Sequence, residues 1–507
     1  MTPLFAQGDF STLNLSPGAV RLLGGALIGY VVFLLAISIY ASRRVENEAD
    51  YLVAGRRLPL FLAWGTLIAT WFGAATMFAA AGAARDEGLL GVVLDPLACA
   101  GTLVLSGIFF ARPLWRMELF TMADFYRRQY GPSAEIVGAC IQVPAYFSWV
   151  ALQYTALARI LELYFEIPFA AGIVLVAAIT LVYTLVGGMW SVTLTDTVQI
   201  VIALVGLVVL LAATLSDPRL GDGDPVRGFM TVFQQVAATH PDHLRLVPAD
   251  MSLAVVLGWL GAWATGLFGN IPGQDLQQRT FSAKSADTAM HACILAGVLY
   301  LLFGMIPVTL GLASLVTHPN ASIDPVGFLA GEYLSTGMLV VFVVAVVSMV
   351  VSTATSAVLA PATILGHNLL ARVPAFAGRP LFRDRLCVVL VSLGGIALAM
   401  WGKSLMELLD VALSIQLVAL FVPVLMGIYG RPRGPLPAVL SMLMGFGAWL
   451  VAFAIEHLDG QLPEPFVSAV TTVPSDFWGL GFAVIGYVCG QALSGRPSAH
   501  IQQEISS

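Results

Sequence analysis

A carboxylate flanked by polar side chains opens one of the most apolar stretches of the chain. Asp196 follows Thr195 and precedes Gln199, and a long apolar run comes after them. On a helix, Thr195 and Gln199 stack at i and i+4 beside Asp196, so one helix face is polar. An ionisable group at membrane depth usually faces a polar pathway or a partner inside a bundle. The alternative is a helix N-terminus at which Asp196 caps free amides in the headgroup zone.

A set of hydroxyl side chains lies within another apolar segment. Its members are Ser348, Ser352, Thr353, Thr355 and Ser356. Hard cations such as sodium bind oxygen ligands, which adjacent hydroxyls and the carbonyls of an unwound neighbouring helix supply. Ser348, Ser352 and Ser356 also form a small-residue ridge at i+4 spacing, and such ridges favour helix packing. The segment alone leaves both interpretations open.

The composition is that of a membrane protein. Of 507 residues, 58% are hydrophobic and 11% charged, with a mean hydropathy of +0.87; soluble domains have about 25% charged residues. The net charge of −6 gives no support to nucleic-acid binding. The five cysteines lie in apolar stretches without paired metal-type spacing, so we expect neither disulfides nor a cysteine metal site.

Hydropathy predicts thirteen helices long enough to cross a bilayer, which takes about 20 apolar residues. They lie near residues 20–42, 60–84, 89–111, 134–161, 168–186, 193–215, 251–273, 286–316, 334–370, 384–402, 406–428, 435–456 and 474–495. The first stretch lacks a basic segment before it and is too long for a signal-peptide core, so we interpret it as a retained span.

The distribution of positive charge predicts the orientation. With the N-terminus outside, most of the 24 Lys and Arg residues fall in cytoplasmic segments, which favours N-outside and C-inside. We expect a multi-pass protein of a bacterial plasma membrane. Its predicted units are an extra N-terminal span (1–42), a first five-helix repeat (60–215), an external loop (216–250), a second repeat (251–428), and two extra spans with a cytoplasmic tail (435–507).

Two of the predicted spans contain interruptions. The second includes Gly65 and the run 71–76, and the seventh includes glycines 258, 261, 266, 269 and 273 with Asn270 and Pro272. Gly-interrupted spans at corresponding places in two halves indicate a transporter binding site. These spans lie five apart, and because five is odd the two blocks have opposite orientations. Close helix packing is the alternative for any single glycine.

Together these segments resemble the sodium:solute symporter family over nearly the whole chain. The most specific match is the run from Gly187 to Gln199, supported by residues 51–56 and by Gln278, Arg279 and Lys284. The resemblance implies an all-α integral membrane protein with a LeuT-type core of ten helices in a 5+5 inverted repeat. One extra span would precede that core and two would follow it.

The resemblance also implies a binding site for the coupling ion, Na⁺. Its ligands would be the carbonyls of Ala69, Phe72 and Met349 and the hydroxyls of Ser352 and Thr353. Asp196 matches an acidic family position near the inner sodium exit, where it would relay the ion rather than bind it tightly.

Within the family, the chain is most similar to the choline transporters, through residues 70–73, 110–113, 147–149 and 259–260. The resemblance implies that Trp71, Trp149 and Trp259 form an aromatic box around a quaternary ammonium. Such a group cannot donate strong hydrogen bonds and is held by indole faces, at about 0.5–2 kcal/mol per contact. Tryptophans that pack or anchor at the membrane interface are the alternative.

Three positions depart from the pattern of that branch. Thr355 stands where an acidic residue is usual, and Cys99 replaces an aromatic residue, which leaves the box one wall short. Asp95 is an unmatched carboxylate in the membrane. It either compensates a cationic substrate or pairs with a polar neighbour or with Arg85.

These features predict a sodium-coupled symporter that imports a small organic solute, with choline or another quaternary or cationic amine as first candidate. Proline, another amino acid, a carboxylate and a sugar remain open within the same fold. A partner-dependent, transporter-like membrane sensor is a second class, although the short stretch after the last span argues against a fused kinase.

We do not expect an enzyme, because the sequence has no recognisable nucleophile–base pair, phosphate loop or metal-ligand cluster. The expected partners are the substrate and the lipid bilayer, without nucleic acid; the oligomeric state is open.

Overall fold

The computed structural model describes residues 17–320, 324–376, 378–401, 405–457 and 463–494. Within these ranges the chain is helical, and its one β-bridge joins Leu58 to Ala283. The predicted external N-terminus before residue 17 and the cytoplasmic tail from residue 495 lie outside the described residues.

The first half of the chain forms nine helices. They are α1 (Pro17–Ser42), α2 (Glu48–Val53), α3 (Leu60–Trp71), α4 (Ala75–Leu90), α5 (Val93–Arg116), α6 (Met122–Tyr130), α7 (Pro132–Phe165), α8 (Phe169–Leu215) and α9 (Pro225–Thr239). The last of these lies in the predicted external loop, and a short 3₁₀ turn, Pro241–Leu244, follows it. The loop therefore carries a fifteen-residue helix.

The second half adds ten helices. They are α10 (Leu253–Phe268), α11 (Gln274–Ser282), α12 (Ala286–Thr317), α13 (Pro325–Tyr333), α14 (Thr336–Arg372), α15 (Pro380–Ala399), α16 (Glu407–Tyr429), α17 (Leu436–His457), α18 (Glu464–Thr471) and α19 (Ser475–Leu493). Helices lie in every one of the thirteen predicted ranges. By length and hydropathy, eight helices of the described residues qualify as spans, or nine when α3 and α4 count as one, so the count of thirteen stays a prediction.

Both predicted interruptions are present. Helices α3 and α4 meet at an angle of 60° across residues 72–74, and α10 and α11 are separated by residues 269–273. Leu58, just before α3, pairs with the end of α11: its N–H donates to the Ser282 carbonyl and its carbonyl accepts from Lys284, both at 3.0 Å. The residue before α3 therefore lies beside the end of α11, so the two interrupted spans contact each other at this point.

A glycine in the run from Gly187 to Gln199, the most specific family match, makes the turn between two predicted spans. Helix α8 is kinked at Gly188, whose φ of 52° and ψ of −144° lie outside the helical region. A Cβ atom at this position would lie 2.5 Å from the Tyr51 ring and 2.6 Å from the Tyr51 carbonyl. Only glycine combines that conformation with so close a neighbour, and the second part of α8 then carries Asp196 back into the bundle.

Candidate functional site

The first interruption ends a buried helix in the middle of the bundle. Phe72, which follows α3, has non-helical dihedrals (φ −75°, ψ 77°) and is fully buried. A Cβ atom on Gly73 would lie 2.7 Å from Oγ1 of Thr353 and 2.9 Å from its methyl carbon. The missing side chain thus lets α14 approach the break closely.

Oxygen atoms from α3 and α14 meet beside this break. The hydroxyl of Thr353 lies 3.1 Å from the Ala69 carbonyl and 3.2 Å from the Met349 carbonyl. The hydroxyl of Ser352 lies 3.3 Å from the same Ala69 oxygen. Four of the five predicted sodium ligands are therefore neighbours, and the fifth, Phe72, is the first residue of the break. All the candidate ligand atoms for the ion are oxygens, which are the ligands that hard cations bind.

Asp196 extends this oxygen cluster. Its carboxylate is fully buried and accepts hydrogen bonds from Thr66, at 2.5 Å, and from Ser352. It therefore contacts side chains of α3 and α14 inside the bundle and is not a helix cap in the headgroup zone. Gln199 on the same helix donates to Tyr30 of α1, which donates to Ser348.

A small cavity adjoins the break. It is lined by Trp71, Gly73, Ala75, Asp95, Cys99, Ala145, Tyr146, Trp149, Gln153, Asn270, Asp275, Tyr300, Leu409, Ala412, Leu413 and Gln416. Its volume of about 30 Å³ holds one or two waters. An organic solute can enter only if the surrounding helices move apart.

The structure brings two of the three predicted tryptophans to this cavity. Trp71 and Trp149 both line it, and their aromatic neighbours are Tyr300, at 6.4 Å between ring centroids from Trp71, and Tyr146, at 5.8 Å from Trp149. Trp259 is elsewhere: it lies in α10, is half-buried, and donates its indole N–H to the carbonyl of Leu246 in the loop before that helix.

Sequence reasoning did not single out the carboxylate that fixes the aromatic residues. Asp275, at the start of α11, accepts a hydrogen bond from the indole of Trp71 at 2.6 Å and another from the hydroxyl of Tyr146. The sequence feature that points to Asp275 is its position two residues after Gly273, at the second interruption. The site therefore combines both interrupted spans.

The departures from the choline-transporter pattern occupy different places. Cys99 and Asp95 line the cavity, and Asp95 accepts hydrogen bonds from Thr76 at 2.8 Å and Tyr300 at 2.7 Å. It thus contacts polar neighbours, whereas Arg85 donates to Ser314 and to the His318 carbonyl. Thr355 donates to the Ser352 carbonyl of its own helix at 2.7 Å.

One positive side chain is fully enclosed among these groups. Arg279, on α11, has no exposed surface and donates to the carbonyl of Asp275 at 3.1 Å and to the hydroxyl of Ser356. A buried cation is costly unless opposite charge lies near it. Arg279 thus offsets part of the negative charge of Asp196 and Asp275.

Two interrupted helices around a central oxygen cluster and an aromatic cavity define a multi-pass membrane transporter. The chain belongs to the sodium:solute symporter family, whose model matches residues 51–445. The membership predicted from the sequence is confirmed.

Two choline transporters are among the relatives of this chain. A high-affinity choline transporter of Caenorhabditis elegans is 27% identical over 480 residues, 87% of this chain and 78% of that protein. The human high-affinity choline transporter is 28% identical over 282 residues, 54% of this chain, and the matched part spans only 46% of the human protein. These matches confirm the predicted similarity to the choline transporters, at 27–28% identity.

The solved structures confirm the LeuT-type fold. The substrate-bound, outward-open structure of a Na⁺-coupled sialic acid symporter superposes with a TM-score of 0.75 at 17% identity, covering 94% of this chain and 98% of that one. At such low identity the likeness concerns the fold alone.

Proposed function

We propose that the protein is a sodium-coupled symporter that imports a small organic cation, choline-like amines being the first candidates. The observation that carries the proposal is the contact of Ser352 and Thr353 with the carbonyl of Ala69 at the break after α3. Sodium would bind there, to the carbonyls of Ala69, Phe72 and Met349 and the hydroxyls of Ser352 and Thr353, with Asp196 beside the ion path. The protein would reside in a plasma membrane with its N-terminus outside.

The charge and the aromatic lining of the cavity support a cationic substrate. Trp71 and Trp149 offer indole faces, to which an ammonium is attracted. Asp95 and Asp275 add negative charge, which opposes the entry of a carboxylate substrate. Trp259 has no part in this proposal, because it lies away from the cavity.

Sodium would supply both the driving force and the coupling. Moving one charge through 100 mV yields about 2.3 kcal/mol, and about 1.4 kcal/mol corresponds to a factor of ten, so one ion supports accumulation of some tens-fold. Because the ion would join α3 to α14, its binding would favour one arrangement of these helices. The substrate would then bind in the adjoining cavity.

Uptake into proteoliposomes tests the proposal. Labelled choline and related amines are offered with an inward sodium gradient, with an equal potassium gradient, and with sodium in the presence of an ionophore that collapses the gradient. We expect accumulation only with the intact sodium gradient, and its loss in Asp196→Asn. Binding of amines without sodium dependence or accumulation would contradict transport and would favour the membrane-sensor alternative.

A further inference from the structure

A buried acceptor in the cavity has no donor among the described residues. Gln416 of α16 lines the cavity and is 4% exposed. Its Nε2 donates to the Ala412 carbonyl at 3.4 Å, whereas its Oε1 is buried and has no hydrogen-bond partner within the part of the chain that is described. An unsatisfied buried acceptor is costly, and a ligand that brings an N–H group would satisfy it.

The oxygen of Gln416 shares a small volume with two other acceptors. A Cβ atom on Gly273 would lie 2.8 Å from Oδ1 of Asp275, 2.8 Å from the Asn270 carbonyl and 3.4 Å from Oε1 of Gln416. These three oxygens therefore converge beside Gly273, where a Cβ atom would be too close to two of them. Asp275 accepts one hydrogen bond at each oxygen, from Trp71 and Tyr146, and a carboxylate offers about four acceptor positions.

The buried charges around the two breaks leave a negative excess. Asp95, Asp196 and Asp275 are each at most 2% exposed, and Arg279 is fully buried among them. Three carboxylates against one guanidinium leave two negative charges when all are ionised. One sodium ion and one monovalent organic cation would neutralise them, and neutrality matters because unpaired buried charge is expensive.

We propose that the cavity selects a protonated amine that carries N–H donors over a quaternary ammonium. The N–H groups donate to Asp275 and Gln416 beside Gly273, while the carbon substituents contact Trp71 and Trp149. This inference rests on the proposed function and narrows its substrate class. A quaternary ammonium satisfies the charge and the indole faces but leaves the oxygen of Gln416 without a donor.

A methylation series tests the selection at pH 7. Along the series ethanolamine, N-methylethanolamine, N,N-dimethylethanolamine and choline, each step replaces one N–H by N–CH₃, so the number of N–H donors falls from three to none while the number of methyl groups rises. Their concentrations for half-maximal thermal stabilisation are measured in sodium on the detergent-purified protein. We expect choline to need at least tenfold more than N,N-dimethylethanolamine, which retains one N–H.

Variants separate hydrogen bonding from packing. Gln416→Leu keeps the side-chain volume and removes the acceptor, so the ratio between the dimethyl compound and choline should fall to within about threefold. Gln277→Leu makes the same change on α11 at a residue that does not line the cavity, and the ratio should stay as in the wild type. Asp275→Asn should weaken all four amines, because it removes a charge.

The outcomes distinguish this inference from the proposed function. Equal or better protection by choline in the wild type would overturn the N–H preference and leave cation transport standing. An unchanged ratio in Gln416→Leu would overturn the role of that acceptor. Sodium-dependent protection by sugars or carboxylates, with none from the four amines, would overturn both the inference and the substrate class in the proposed function.

Discussion

The hydroxyl of Thr353 lies 3.1 Å from the carbonyl oxygen of Ala69, 284 positions earlier in the chain. This contact joins the end of an interrupted helix to an unbroken one across the centre of the bundle. It is also where the proposed sodium ion would bind.

Thr353→Val replaces this hydroxyl with a methyl group at nearly constant volume. Because one ligand of the proposed ion is lost, the sodium concentration for half-maximal thermal stabilisation should rise at least tenfold, about 1.4 kcal/mol. Thr355→Val is the matched control, since Thr355 bonds only within its own helix in the contacts described above. A wild-type sodium response in Thr353→Val would refute the assignment.

Gly73→Ala tests the close approach at the break. The added methyl group would lie 2.7 Å from Oγ1 of Thr353, so α14 must shift, and overpacking of this kind costs about 1–3 kcal/mol. We expect a lower melting temperature and a weaker sodium response. Gly258→Ala is the control, because a methyl group there has no neighbour within 4 Å and should be neutral or slightly stabilising. Equal behaviour of the two variants would argue against the tight contact.

Trp71→Ala and Trp259→Ala compare two tryptophans from the same sequence prediction. Trp71 lines the cavity and is held by Asp275, so its loss should abolish stabilisation by amines and leave most of the sodium effect. Trp259 bonds to the carbonyl of Leu246 in the loop before α10, and its loss should leave amine affinity within about twofold. Isothermal or thermal-shift titration measures the amine affinity of each variant. A larger loss of amine affinity in Trp259→Ala than in Trp71→Ala would show that Trp259 contributes to the binding site.

Glu48→Gln tests an ion network at the start of α2. Glu48 Oε1 lies 2.8 Å from Arg383 Nη2 and from His367 Nδ1, and the hydrogen bond from His367 holds the pKa of Glu48 below its usual value. A lowered pKa means that the charged form stabilises the fold, fully above the ordinary pKa near 4.5 and less as the pH falls through the lowered value.

The melting temperatures of the wild type and Glu48→Gln should therefore differ at pH 7 and converge only as the pH falls below 4.5 through the lowered pKa of Glu48. Glu46→Gln, at an exposed neighbouring carboxylate, serves as control and should show a smaller difference. A gap between wild type and Glu48→Gln that stays constant over this pH range would contradict the role of the ionised carboxylate.

The sequence by itself determined the membrane class, the family and the two interruptions. These features are local: apolar runs set the spans, and glycines at 73, 269 and 273 mark the places where helices stop. The hydroxyl pair at 352–353 was also visible, because few apolar spans hold adjacent hydroxyls.

Only the tertiary structure decided which side chains share the cavity. Trp259 and Asp275 flank the same break in sequence, yet the first bonds to the loop before α10 while α11 directs the second to Trp71 and Tyr146. The free acceptor of Gln416, nearly 150 positions further on, meets that carboxylate only because α16 packs beside Gly273. Such long-range side-chain contacts depend on how the helices cross, and hydropathy contains no information on crossing geometry.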